Sequence, residues 1–459
     1  MLGNLASSLF TENGILPGIF GSFSSSTVAL RHGAAAAIPI VLTVLKTFLT
    51  CSSVVILTYM ALVRKRRYQA INRMLKKYPD PTLPLRNLEV AYEVWSLTSH
   101  YEFPFMVEFS VPIFNLRVAG IPTASRVFAS TKQMSDHGVK RIEDTTLLLS
   151  EALQGYSRRQ ARSMLVDEVD PATGKITTKP RKPKLTETTL DDEELKERAN
   201  DDARANAAVE RINFFHSHYN IAQEEFLYTL GLFVIEPIYL VNKYEWRPFT
   251  VLEENAMLAV WTDLGRKMGI ENIPKTVRDF EDWVEDYESR KMKYAPVNNK
   301  MADCSIAVSQ ALVTTPEAKA RVKKFLIALM SQRNRAAVGY PEPSKIQIFL
   351  SKSVLWVHGY IVKYLMMPRT APRLVTALRA TKFEDVDVEK VQADGKINGN
   401  VELAGGCPFS GGMRYVPRFH DQGPIYPRGY KIEELGPTSF FGKGPHVCPV
   451  SGLNVAPVV

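Results

Sequence analysis

Thr47 to Val63 is a run of 17 residues without a charge, and it stops at four basic residues in a row, Arg64-Lys65-Arg66-Arg67. A helix crossing the hydrocarbon core of a bilayer needs about 20 apolar residues. Upstream, Ala34 to Leu45 is apolar as well, separated from the run only by Lys46, whose long side chain can snorkel to the far interface. The pattern predicts a transmembrane anchor over residues 38–63. A cleaved signal peptide would carry positive charge before its apolar core rather than after it, and a buried core helix is the remaining reading of the same apolarity. By the positive-inside rule the Arg64 cluster stays cytosolic, leaving 1–37 luminal and the bulk of the chain on the cytosolic side.

That bulk is rich enough in apolar residues, 45% of the whole chain, to build one large core. The net charge of +9 sits largely beside the anchor and between Lys179 and Lys184. With no zinc-finger spacing, RNA-binding signature or basic–aromatic array, this excess points to a membrane surface and not to nucleic acid. Four cysteines, Cys51, Cys304, Cys407 and Cys448, are too few and too scattered for a disulfide framework.

Helical patterns are predicted from about Thr189, a capping hydroxyl followed by Asp191, Asp192 and Glu193, to about Asn220, and then over 222–243, 250–269, 275–293, 304–312, 316–335 and 344–366. The last is apolar enough to suggest a second span, but Lys352, His358 and Lys363 favour a core or interface-lying helix. No sustained alternation marks a strand. The fold class is therefore mainly α: a single helical domain over 68–384, an exposed insertion at 157–188 around the Asp170-Pro171-Ala172-Thr173-Gly174 turn, and an extended Gly/Pro-rich tail over 385–459.

Two helical segments carry candidate chemistry. In the first, Ala205, Ala208, Ile212, Phe215, His216 and Tyr219 fall in one arc at about 100° per residue. His216 thus lies on an apolar face, while His218 is rotated about 200° away, so the two cannot chelate one metal. One neutral nitrogen in an apolar slot suits haem, although on the residues alone a satisfied core histidine is the commoner case. In the second, Arg141 and Thr145 share a face at i and i+4, continued by Leu148 and Ala152. A guanidinium and a hydroxyl there could meet a propionate, O2 or a developing oxyanion. They could equally be a surface arginine paired with Glu143 or Asp144. The tail pairs Cys407-Pro408 and Cys448-Pro449 read better as turns than as thiolate ligands.

Lys140-Arg141-Ile142-Glu143-Asp144-Thr145 and Arg211 to Tyr219 resemble the fungal ER-bound oxygenases of the mycophenolic acid pathway (MpaB type). Tyr228 to Pro237, Tyr244-Glu245-Trp246-Arg247-Pro248, Gly265 to Ile270 and Phe280-Glu281-Asp282-Trp283 extend the match in order over about residues 90–370. That group is distantly similar to the bacterial latex-clearing rubber oxygenases, helical proteins with b-type haem. The resemblance implies an iron ligand at His216, preceded by Arg211, with Arg141 and Thr145 on the opposite side of the haem. Those enzymes have a lysine just before the threonine, where this chain has Asp144, so a second protein ligand is not implied.

The expected function is a membrane-bound, haem b (iron) oxygenase in the endoplasmic reticulum membrane, single-pass and facing the cytosol. It would cleave a carbon–carbon double bond of a prenylated or isoprenoid small molecule with O2, as in meroterpenoid secondary-metabolite biosynthesis. Arg141 and Thr145 would be catalytic, and His216, Arg211 and Arg141 would bind the cofactor. The alternatives are a non-catalytic membrane-anchored binding protein for apolar ligands and an oxygenase using a non-haem metal.

Overall fold

The computed structural model describes residues 26–163, 165–169, 176–180, 192–376, 426, 430–440, 443–444, 446–447 and 454–455. The chain divides into two compact units, Met1–Leu62 and Val63–Val459. The described part of the first belongs to helix α1 (Ser26–Lys77). Its stretch Leu45–Lys77 is long and apolar enough to cross a membrane; an 18-residue window within it has a mean hydropathy of 1.6 and is 6% buried. The hydroxyls of Thr47, Thr50, Ser53 and Thr58 donate to carbonyls four residues earlier at 2.7–2.9 Å. These polar side chains are thereby satisfied within the helix, as a lipid-facing segment requires.

The second unit is mainly helical. Its helices are α2 (Leu88–Ser96), α3 (Pro104–Ala119), α4 (Pro122–Thr131), α5 (Gln133–Leu153), α6 (Gly155–Ser163), α7 (Asp192–Ser217), α8 (Gln223–Tyr244), α9 (Val251–Lys267), α10 (Val277–Lys291), α11 (Pro296–Gln310), α12 (Pro316–Leu329), α13 (Gln332–Val338) and α14 (Lys345–Tyr364). Strand among the described residues is confined to two short antiparallel pairs, Leu165–Val169 with Ile176–Pro180 and His446–Val447 with Asn454–Val455. Helix starts follow local chemistry. Thr250 and Glu253 form a capping box at α9, and the side chain of Asn87 accepts from the Glu89 and Val90 amides at α2. Prolines occupy the first turns of α3, α4, α11 and α12, where no intrahelical donor is lost.

α5 packs along α7, α3 along α8 and α2 along α9, while α11 crosses α3 and α5. The core between them includes Leu147, Ala208, Leu232 and Val260, all fully buried; each of the larger side chains contributes about 1.5–3 kcal/mol on burial. The expected boundaries move at three places. The segment 304–312 is the end of a longer helix that starts at Pro296. The pattern 316–335 is two helices, because Met330 turns extended and the Ser331 hydroxyl caps a new start. The segment predicted to be exposed from residue 157 begins inside α6, where Ser157 and Arg158 have no exposed surface. The Thr189 cap and both Cys-Pro pairs lie outside the described residues.

Candidate active site

α5 and α7 are tied together at one end by charge. Glu151 accepts from Arg204 at 2.6 and 2.9 Å and lies 3.2 Å from Arg158, and the Tyr430 hydroxyl donates to it at 2.6 Å. Arg158 also donates to Asp201 at 2.9 Å, as does Arg162 through a shorter contact. These groups are almost fully buried, and each charge meets an opposite one.

Further along the same two helices the pattern changes. A cavity of about 390 Å³ opens between α3, α5, α7, α8, α9 and α11, and most of its wall is apolar. Phe114, Phe233 and Trp261 close one side, with Phe233 stacked on Trp261 at 4.3 Å and tilted against Phe114 at 4.4 Å. Ile212, Phe215, His216 and Tyr219 enter from α7 and the turn after it, and Arg141, Thr145 and Leu148 from α5. The structure thus brings Arg141, Thr145 and His216 to one cavity. His218 is not part of that wall; its Nδ1 lies 2.7 Å from the Phe214 carbonyl at the surface.

His216 Nδ1 is buried and has no hydrogen-bond partner, and its ring rests against Phe226 at 5.1 Å. Burial pushes its imidazole down to about 4, and the Arg141 charge adds to the shift. At neutral pH it is an uncharged nitrogen base in a dry slot. Arg141 is half-buried by surface, yet desolvation lowers its guanidinium from the usual value, because its remaining surface faces the cavity and not bulk water. It donates to the Thr145 hydroxyl, whose own proton goes to the Arg141 carbonyl at 2.8 Å. Thr145 therefore orients the guanidinium and leaves its other N–H groups for the cavity.

Asp144 acts on Arg141 through space, but its oxygens serve Lys140 at 2.7 Å and the Tyr426 hydroxyl. Lys140 also donates to the Gly436 carbonyl at 2.8 Å. Gly436 lines the cavity with φ +105, and a Cβ there would sit 2.2 Å from Phe215, so the chain passes only as glycine.

Arg211, the other residue expected at the cofactor, sits elsewhere on α7. It is absent from the cavity wall, and its guanidinium donates to the carbonyls of Leu435, Glu433, Phe440 and Lys443. These bonds tie Glu433, Leu435, Phe440 and Lys443 to α7. The sequence reading also missed His100, which lines the cavity from a π-helical turn, Leu97–Glu102. Its Nδ1 lies 2.7 Å from the Ser157 hydroxyl, and burial beside Arg158 pushes it down to about 3. A buried imidazole on this turn carried no helical periodicity that could have singled it out.

The donor set fits a single-histidine haem: one neutral, unpartnered imidazole, a wide apolar slot, and a guanidinium without a carboxylate hydrogen-bonded to it. Among the described residues no three His, Cys, Asp or Glu side chains converge as a metal site would require.

No protein-family model matches the chain. It is 27% identical over 425 residues to ER-bound oxygenase mpaB' of Penicillium brevicompactum, covering 84% of this chain and 87% of that protein. ER-bound oxygenase mpaB of the same organism is 26% identical over 348 residues, 71% of each chain. That of Penicillium roqueforti (strain FM164) is 26% identical over 309 residues, 62% of this chain and 89% of its own length. The chain is a homologue of the ER-bound oxygenases of the mpaB type.

Proposed function

We propose that this chain is an oxygenase of the endoplasmic reticulum membrane that uses haem b to cleave a carbon–carbon double bond of a prenylated or isoprenoid small molecule with O2. The observation that carries it is the pairing of an unpartnered neutral imidazole, His216, with an Arg141 guanidinium on one apolar cavity. The names of the relatives support the oxygenase chemistry and the membrane, and α1 supplies an anchor. The same reading makes the anchor single-pass, with the second unit on the cytosolic side of the Arg64 cluster.

His216 would hold the iron, and the bound haem would supply the activation of O2 that no side chain can provide. The residues of the chain do the rest. Arg141, oriented by Thr145, presents N–H donors to negative charge developing on oxygen, and in a dry site such donors act at full strength. Phe114, Phe233 and Trp261 bind the prenyl chain and exclude water. One double bond and one O2 give two carbonyl fragments, so no external reductant is consumed in the net reaction. A prenylated substrate partitions into lipid, so an anchored enzyme meets it where it is concentrated.

The test is the full-length protein, purified in detergent and supplied with haem, a farnesylated phenol and O2. The expected result is uptake of one O2 per double bond lost, with two carbonyl fragments found by mass spectrometry. Retention of the intact prenyl compound without O2 uptake would overturn the enzyme and favour a binding protein for apolar ligands.

A further inference from the structure

Helix α14 is apolar on two sides. Ser351, Leu355, Gly359 and Val362 face the domain, and Gly359 lets the helix approach so closely that a Cβ would sit 2.2 Å from the Tyr244 carbonyl oxygen. The opposite face should then be polar if water covered it. Instead Ile346, Phe349, Leu350, Val354, Val357 and Tyr360 each expose more than half of their surface, 72% at Ile346. At about 100° per residue these side chains, with Trp356, Ile361 and Leu365, fill an arc about 180° wide. Their combined exposed surface is on the order of 1,000 Å², more than the few hundred that monomers commonly leave bare.

The charges choose the occupant. α14 contains no acidic residue, and its three lysines, Lys345, Lys352 and Lys363, fall within about 20° of one another along one edge of the apolar arc. A row of long cationic side chains beside a wide apolar face matches a bilayer interface, with acyl chains under the face and phosphates at its edge. A second copy of the same helix would bring lysine rows without acidic partners.

The far end of α14 meets the basic cluster that follows the uncharged run. Arg67, four residues beyond the uncharged run, donates to the carbonyls of Met366 and Met367 at 2.8 and 3.3 Å, just past the end of the helix. On its inner edge the His358 ring lies tilted against Phe105 of α3 at 4.3 Å. Pro104, Val107 and Glu108 of that same helix turn line the cavity, and Glu108 pairs with the partly exposed Arg373 at 2.8 Å.

We infer that the outer face of α14 lies in the plane of the membrane as a second, monotopic contact, and that it brings the Glu108–Arg373 edge of the cavity to the lipid surface. The inference rests on the membrane anchoring proposed above and is independent of the chemistry in the cavity. It makes the lipid phase, and not the cytosol, the route by which an apolar ligand reaches the cavity.

The test uses the full chain in vesicles of phosphatidylcholine and phosphatidylserine, with a fluorescent amino acid incorporated at Phe349, Val354 or Val357. Leu57 in the anchor and Glu317 in α12 serve as references. Lipid brominated on its acyl chains should remove roughly half or more of the emission at the three α14 positions and at Leu57, while aqueous iodide quenches only Glu317. Iodide quenching at α14 with lipid quenching at Leu57 overturns the inference and leaves the anchor intact. Shielding of α14 from both quenchers, with a dimer by cross-linking, overturns it in favour of a second copy. Loss of lipid quenching at Leu57 as well overturns the anchor and the inference together.

Discussion

α5 and α7 run side by side, yet their two ends treat buried charge in opposite ways. At one end Glu151, Asp201, Arg158, Arg162 and Arg204 neutralise one another, and Tyr430 adds a further hydrogen bond. At the other, Arg141 is hydrogen-bonded to a threonine and His216 Nδ1 to nothing. The saturated end has every mark of a staple, since removing any member strands a charge in low dielectric. The open end contributes little to holding the helices together, and desolvation makes its polar groups costly to keep. A buried nitrogen left unsatisfied on the wall of an apolar cavity is where a ligand belongs.

The comparison can be broken at several points. Glu151→Ala leaves Arg158 and Arg204 facing each other, and should lower the unfolding free energy by about 3–5 kcal/mol in chemical denaturation. Arg141→Leu should do the reverse: stability unchanged or slightly raised, with turnover down about 10²–10³-fold. An Arg141 variant as unstable as the Glu151 variant would erase the distinction. Arg211→Met removes donors to four carbonyls and should cost about 2 kcal/mol. If the haem-type role implied by resemblance were its main task, the variant would lose cofactor without losing stability.

His100 gives an effect that is graded with pH. Its folded pKa of about 3 lies below the ordinary 6.5, so on acidification the unfolded chain takes up the proton first. The stability it contributes is therefore whole above pH 6.5 and lost as pH falls toward 3. Glu102 and Glu245, both pushed up to about 7 by burial, run the other way between 4.5 and 7, so the informative quantity is a difference. The unfolding free energy of His100→Asn relative to wild type should improve by about 1 kcal/mol per pH unit between pH 6.5 and 4. A difference independent of pH would mean that His100 takes up its proton as readily in the folded protein as in the unfolded chain.

Much of this architecture was legible in the residues. Helical spacing placed Ile212, Phe215, His216 and Tyr219 on one face, and the same spacing joined Arg141 to Thr145. The long apolar stretch of α1 announced itself by its length and by the basic residues that follow it. What escaped depended on contacts distant in the chain. Arg211 binds carbonyls more than 220 residues later, and carbonyls leave no side-chain signature. Asp144 and Lys140 are a visible i, i+4 pair, but their shared partner Tyr426 is not. α14 stayed open between a core and an interface-lying helix for another reason: an apolar face reads the same whether protein or lipid covers it.

The most direct measurement is the absorbance spectrum, with a pyridine haemochrome assay, of the detergent-purified full-length protein and its His216→Ala variant after equal loading with haem. The account predicts a Soret band at close to one haem per chain in the wild type and loss of haem, or a shifted band, in a variant that remains folded. A folded wild-type protein that takes up no haem, or a His216→Ala variant with an unaltered spectrum, would contradict it.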